Sequence, residues 1–167
     1  MKSVGELLIT PAWRRSVEYV GALMRTPDWK ECVATYGVRH DPRDVLHDSV
    51  KNSNYVRCAM TPQCIPVAVF GVMSTSLLGR QGSIWMIATG EFERHAKFSL
   101  QLGRRLIPKL LENFDELVNY VHADNRANLN WLRHMGFEIE AAAPYGVAKQ
   151  LFHRVTRRAE RCAMQTC

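Results

Sequence analysis

Three side chains able to move protons, Glu91, Glu93 and His95, fall within five consecutive positions, with Arg94 among them and Lys97 just beyond. Carboxylates and an imidazole at this density suit general acid–base chemistry. The same acids also suit the positive end of a helix dipole, and both readings stand at this point. His122 and Asp124 form a second such group, with Tyr120 nearby and Tyr145 farther on as phenols able to give up a proton. His153 lies in a strand-like run and reads as structural or exposed. Other chemistries lack their patterns: there is no phosphate loop of the G-x-x-x-x-G-K-S/T kind, no H-E-x-x-H and no nucleophile elbow. The five cysteines, at 32, 58, 64, 162 and 167, are odd in number and contain no C-x-x-C. That supports neither a disulfide framework nor a zinc site, and no metal is expected. Cys58 and Cys64 flank a turn at Thr61-Pro62 and can meet across a hairpin, against the alternative of two reduced thiols.

The elements that must position these groups follow from the bulk numbers and the periodicity. A chain of 167 residues, 47% hydrophobic and 23% charged, fits one domain that buries a core without staples. No run approaches the length of a membrane span. The segment from Met1 to Glu6 lacks an apolar signal core, so an intracellular product is expected. The net charge is +6, much of it from Arg154, Arg157, Arg158 and Arg161, which suggests DNA contact through a basic tail or a solvated face. Arg104-Arg105 can touch phosphate or simply face solvent. Trp13, Trp29, Trp85 and Trp131 occur singly and read as core or interface.

A first strand is expected at 7–9, stopped by Thr10-Pro11. Helices follow through Val17, Val20 and Met24, from Thr26-Pro27-Asp28, and from Asp41-Pro42 through Val45, Leu46 and Val50. Strands at 55–60, 66–73 and 82–89, separated by turns at 61–65 and 78–81, read as an antiparallel meander. A long helix is expected over 95–114, kinked or shortened at Pro108. A strand at 117–121 and a helix at 126–134 come next, the latter closed by a left-handed Gly136. Strands at 137–140 and 149–155 end the domain, with Pro144-Tyr145-Gly146 between them. Residues 1–155 then form the domain and 156–167 a basic tail.

The segment from Val121 to Phe137, VHADNRANLNWLRHMGF, carries a resemblance. It resembles the second signature of the GNAT family, the acetyl-CoA-dependent N-acetyltransferases. Asn125, Leu129, Met135, Gly136 and Phe137 fall in register with it over thirteen positions. The fold this implies is α/β (α+β), a mixed central sheet of about six to seven strands flanked by helices. A narrower likeness, over roughly residues 5–155, runs through Arg25-x-x-Asp28-x-x-Glu31 and the stretches 66–72, 84–89 and 119–125. Those stretches look like a phage family that contains the small internal virion protein A of short-tailed phages.

The two resemblances imply different things. The acetyltransferase pattern implies acetyl-CoA between the fourth and fifth strands, with its pyrophosphate on backbone N–H groups at a helix N-terminus. The residues it assigns to the cofactor are Ala88, Arg94, Lys97, Phe98, Ser99 and Asn125. Here Lys97 and Ser99 replace a glycine and a small residue. For catalysis it points to Glu91, Tyr120 and Asn125. The usual leaving-group acid falls on Leu132, which has no proton to give. The phage likeness implies a virion protein on an acetyltransferase scaffold, serving assembly or DNA ejection, found in virion and host cytoplasm and contacting other virion proteins. The expectation is this non-catalytic role, with an active N-acyltransferase modifying an amine as the alternative.

Overall fold

Alternation and helix punctuation decide where each element begins. A computed structural model describes residues 7–75 and 79–160. In chain order the elements are β1 (Leu8–Pro11), α1 (Arg14–Ala22), α2 (Thr26–Tyr36), α3 (Pro42–Asn52), β2 (Tyr55–Met60), β3 (Pro66–Ser74) and β4 (Gln81–Ala88). A 3-10 turn (Gly90–His95) leads into α4 (Ala96–Leu111), followed by β5 (Glu116–His122), α5 (Arg126–His134), β6 (Glu138–Ile139), β7 (Ala143–Tyr145) and β8 (Gln150–Arg158). Proline in the first turn starts α2 and α3, where its missing N–H costs nothing. Asp41 caps α3 by accepting from the Arg43 N–H, and Asn125 caps α5 by accepting from the Asn128 N–H. Gly136, at φ +76°, closes α5 in the left-handed region that a side chain resists.

The eight strands form one sheet in the order β1-β2-β3-β4-β5-β8-β6, with β7 pairing β8 beside β6. Every pairing is antiparallel except β4 with β5. The helices cover both faces. Val17, Val20 and Leu46 of α1 and α3 pack with Cys58 and Val69 on one side. Ile107, Leu110, Leu129, Leu132 and Met135 of α4 and α5 pack with Val72, Ile84, Leu117 and Val121 on the other. At Gly103 an added Cβ would stand 2.5 Å from Trp131 Cζ2 and 2.6 Å from Met135 Sδ, so glycine permits the close approach of α4 to α5.

Several boundaries differ from the sequence expectation. The sheet has eight strands, because Pro144 and Tyr145, read as a turn, pair with Leu151 and Gln150. Pro11 ends β1 inside the ladder, opposite Arg57. Helix α4 passes through Pro108 and ends at Leu111. Pro108 forfeits one helical bond near the C-terminal end, while Ile107 and Leu110, both buried, hold that turn to the core. Strand β8 continues to Arg158, with Thr156 buried and paired to Val118 and Glu138. The segment read as a tail therefore begins inside the sheet; residues 161–167, with Arg161, Cys162 and Cys167, lie outside the described residues, as do Met1 to Glu6 and Leu78. Cys58 is sealed in the core, Cys64 is exposed, and both are free thiols. No described helix is long and apolar enough to cross a membrane.

Candidate active site

The site originates in a parting of two strands. Pairing between β4 and β5 is confined to Gln81, Gly82 and Ser83 opposite Glu116, Leu117 and Val118. Thr75 N–H donates to Gln81 O and Thr89 N–H to Val67 O, which fixes which backbone groups face β3. By alternation Ile84, Met86 and Ala88 turn their N–H and C=O groups to the opposite edge, the one β5 leaves. A cavity of about 230 Å³ opens there, lined by Ile84 to Ile87 of β4, Asn119 and Tyr120 of β5, and Ser99, Leu102 and Gly103 of α4.

Helix α2 closes the C-terminal end of this gap with two carboxylates one turn apart. Asp28, 3% exposed, accepts from the Ala88 N–H at 2.8 Å and from Arg25 Nε at 2.9 Å. The Arg25 N–H in turn donates to Ala88 O, so both cleft-facing groups of Ala88 are used by α2. Glu31 reaches the other strand. Its Oε1 accepts from the His122 N–H at 3.1 Å and from Asn125 Nδ2 at 2.9 Å. Burial pushes both carboxyl groups above their ordinary range, against the opposing pull of these hydrogen bonds. The neighbouring Cys32 thiol is pushed up to about 12, by burial first and by the two carboxylates second.

An aromatic wall stands beside Glu31. The loop after β7 docks on the end of α2, where Val147 N–H donates to Thr35 O and Ala148 N–H to Ala34 O. Gly146, at φ +71°, allows this; a Cβ there would lie 2.5 Å from Ala34 O. The docking brings Tyr145 over Tyr120, rings 4.1 Å apart and 6° from parallel. Tyr145 and Tyr36 both have raised phenol pKa values, chiefly from burial. His122 is held by three contacts: Asp124 N–H donates to its Nδ1, its Nε2 meets Gln150 Oε1 at 2.8 Å, and its ring edges onto Phe152. The Asp124 donor makes Nδ1 an acceptor, so the proton of this ring sits on Nε2.

The sequence-nominated residues divide into two groups. Tyr120 and Ser99 line the cavity, and Asn125 reaches it through Glu31. Ala88 sits at its end, bound to α2. Glu91, Glu93, Arg94 and Lys97 lie on the exposed surface of the 3-10 turn and the first turn of α4, with Phe98 half-buried beside them. Glu91 pairs with Arg94 at 3.2 Å, and its Oε1 is 3.9 Å from His95 Nε2. Leu132 is core, 1% exposed. His153 Nδ1 donates to Glu140 O at 2.7 Å, toward the β6 edge of the sheet. Asp28, Glu31 and Tyr36 were not singled out for chemistry in the sequence; the signal for the first two was the i, i+3 spacing of Arg25, Asp28 and Glu31, which sets all three on one helix face. The tail arginines are engaged at the sheet: Arg154 with Glu116 and Glu140, Arg158 with Glu116, and Arg157 with Met135 O. Among the described residues no three His, Cys, Asp or Glu side chains group to hold a metal.

No protein-family model and no curated protein matches the chain. Solved structures do. One is spermidine N-acetyltransferase from Vibrio cholerae, in complex with CoA and spermine, with TM-score 0.64 and 12% identity over 92% of this chain and 96% of that one. Another is an acetyltransferase of the GNAT family from Bacillus anthracis, with TM-score 0.69 and 10% identity over 95% and 98%. At such identities the likeness concerns the fold, and the phage likeness rests on the sequence segments alone. The parted β4 and β5 strands, the helix order and these neighbours agree: this chain has the GNAT acetyltransferase fold.

Proposed function

We propose that this chain is an acyl-CoA-dependent N-acyltransferase acting on an amine. The observation that carries the reading is the cleft between β4 and β5, with a free backbone edge on one wall and Glu31 at its end. The chain's groups fit an acyl-CoA. The Ile84 carbonyl and the Met86 amide and carbonyl offer partners to an extended arm that itself carries amides. Ser99, Arg94 and Lys97 at the start of α4 offer a hydroxyl and two cations to phosphate. Lys97 supplies by charge what a glycine would supply by space. When bound, the cofactor supplies an acyl thioester carbon, at which a C–N bond forms as the C–S bond breaks and the thiol departs.

The side chains then have distinct tasks. Glu31, whose raised pKa makes it a better base than an exposed carboxylate, takes the proton from the incoming ammonium. Asn125 and the His122 N–H hold that carboxylate in place. Tyr120, on the cavity wall, carries the phenol that can return a proton, a task Leu132 cannot perform. Titration calorimetry with acetyl-CoA and with CoA, beside an Arg94→Ala variant, tests the reading. Saturable micromolar binding that weakens in the variant supports it, and absence of heat at millimolar ligand sinks it.

One observation favours a second reading. Leu132 is fully buried where the resemblance expects an acid, and Lys97 and Ser99 stand in the phosphate loop. On that reading the chain is a non-catalytic scaffold in a phage virion, bound to other virion proteins. Detection of the protein in purified virions, together with silence toward acetyl-CoA, would select it.

A further inference from the structure

The charge of the cavity narrows the acceptor, given the acyltransferase reading. Among the described residues that line it, three carry a carboxyl or guanidinium group: Arg25, Asp28 and Glu31. Arg25 and Asp28 offset each other through a 2.9 Å ion pair. Glu31 is held by neutral donors, a backbone N–H and an amide, and both bond the same oxygen, Oε1. Its second oxygen, Oε2, is left for another donor, and of the two carboxyl groups Glu31 is the one with no cation bonded to it.

Aromatic surface lines the same cavity as that carboxyl group. Tyr36, Tyr120 and Tyr145 all line the cavity, the last two as a parallel stack, with Phe152 tilted against Tyr145. Ring faces attract a cation, and most strongly where water is partly excluded. Much of the remaining lining is apolar, including Val45, Phe70, Met73 and Trp85. An apolar wall rewards a hydrocarbon body and penalises a second ammonium, which would lose its hydration without gaining a counter-charge.

We infer that the acceptor is a compact primary monoamine with an apolar or aromatic body, its ammonium held between Glu31 and the tyrosine rings. The same lining disfavours a polycation of the spermine kind: among the described residues its second nitrogen finds no further acid. The likeness to a spermidine enzyme thus extends to the fold and stops at the acceptor.

Calorimetry without any acyl donor tests this. The probes are 2-phenylethylamine, its neutral counterpart 2-phenylethanol, and spermidine. The amine should saturate, with the alcohol and spermidine each weaker by on the order of tenfold. Glu31→Gln should remove the preference of amine over alcohol. Tyr120→Leu should weaken the amine severalfold and leave the alcohol nearly unchanged. Gln keeps an oxygen for the His122 and Asn125 donors, and a thermal melt checks that the variant folds; the three-probe comparison on the unaltered protein decides even if it does not. Spermidine binding as tightly as the amine, an alcohol binding as tightly, or no saturable amine binding would each overturn the inference. Its failure is separable from that of the acyltransferase reading: transfer to spermidine alone sinks the inference and keeps the enzyme, whereas a bound monoamine that is never acylated does the reverse.

Discussion

Asp28 and Glu31 stand one helical turn apart on α2, are both largely withdrawn from water, and both have carboxyl pKa values raised chiefly by burial. Yet they serve opposite ends of the strand gap. Asp28 faces β4 and has its charge met by Arg25, with the Ala88 N–H as a second partner. Glu31 faces β5 and is met only by neutral donors. Asp28 is buried and Glu31 half-buried, but the sharper difference between them is the partner. A buried carboxylate with a cation is a clamp, whereas one with dipoles alone keeps charge in reserve for a ligand.

Asp28→Ala should produce the largest loss of stability. It strands the Arg25 guanidinium, only 15% exposed, and leaves the Ala88 N–H without its acceptor. Breaking a buried pair by removing one partner costs about 3–5 kcal/mol. Urea denaturation measures it, and a loss no greater than that of Glu31→Ala would erase the distinction between the two carboxylates.

Glu31→Gln should do the opposite, lowering acyl transfer by roughly 10²–10⁴ if Glu31 is the base while leaving the unfolding free energy undiminished. The pH dependence sharpens this. Because its folded pKa is raised, Glu31 favours folding fully only below the ordinary glutamate value of 4.5, and that contribution disappears as pH climbs through the folded value. The stability of Glu31→Gln relative to the parent should therefore improve as pH rises across that window. Transfer by the parent should rise with pH over the same window, as the base ionises. A rate profile that is flat there would remove Glu31 from proton transfer.

The fold was legible because its signals are local. β-branched runs marked β2 to β4, Asn125 and Gly136 bracketed α5, and Phe98, Leu102 and Leu106 showed the period of α4. Strand β7 was hidden because Pro144-Tyr145-Gly146 has turn chemistry, and only the pairing with β8 makes its first two residues strand. The site was less legible for a related reason. Glu91 and Arg94 attracted notice by density, yet they answer each other on the surface. Glu31 looked like a helix-start acid, and its meaning depends on His122 and Asn125, more than ninety positions away. Tyr120 was nominated from the sequence and Tyr36 was not, since the docking of Val147 and Ala148 on α2 that gathers the rings leaves no trace in spacing.

A change on the far wall tests whether the two carboxylates differ for local reasons. Gly103→Ala places a methyl against Trp131 and Met135, and overpacking of this kind costs about 1–3 kcal/mol. The loss should be independent of pH across the window in which Glu31→Gln changes its relative stability. A pH-dependent loss would mean that the α4–α5 contact and the α2 carboxylates are coupled through the cleft.

The smallest effect on stability belongs to Arg94→Ala. The Arg94–Glu91 pair is exposed on both sides, and such pairs are worth about 0–1 kcal/mol. Its removal should leave the melting temperature nearly unchanged. The same cation at the start of α4 should nonetheless matter to a phosphate, so affinity for CoA should fall by about fivefold, the equivalent of about 1 kcal/mol. Monoamine binding, inferred above to depend on Glu31 at the opposite end, should not move. If Arg94→Ala weakened the amine and spared CoA, the cation would be acting on the carboxylate end through the 3-10 turn, and the division between a phosphate end and a proton-transfer end would have to be redrawn.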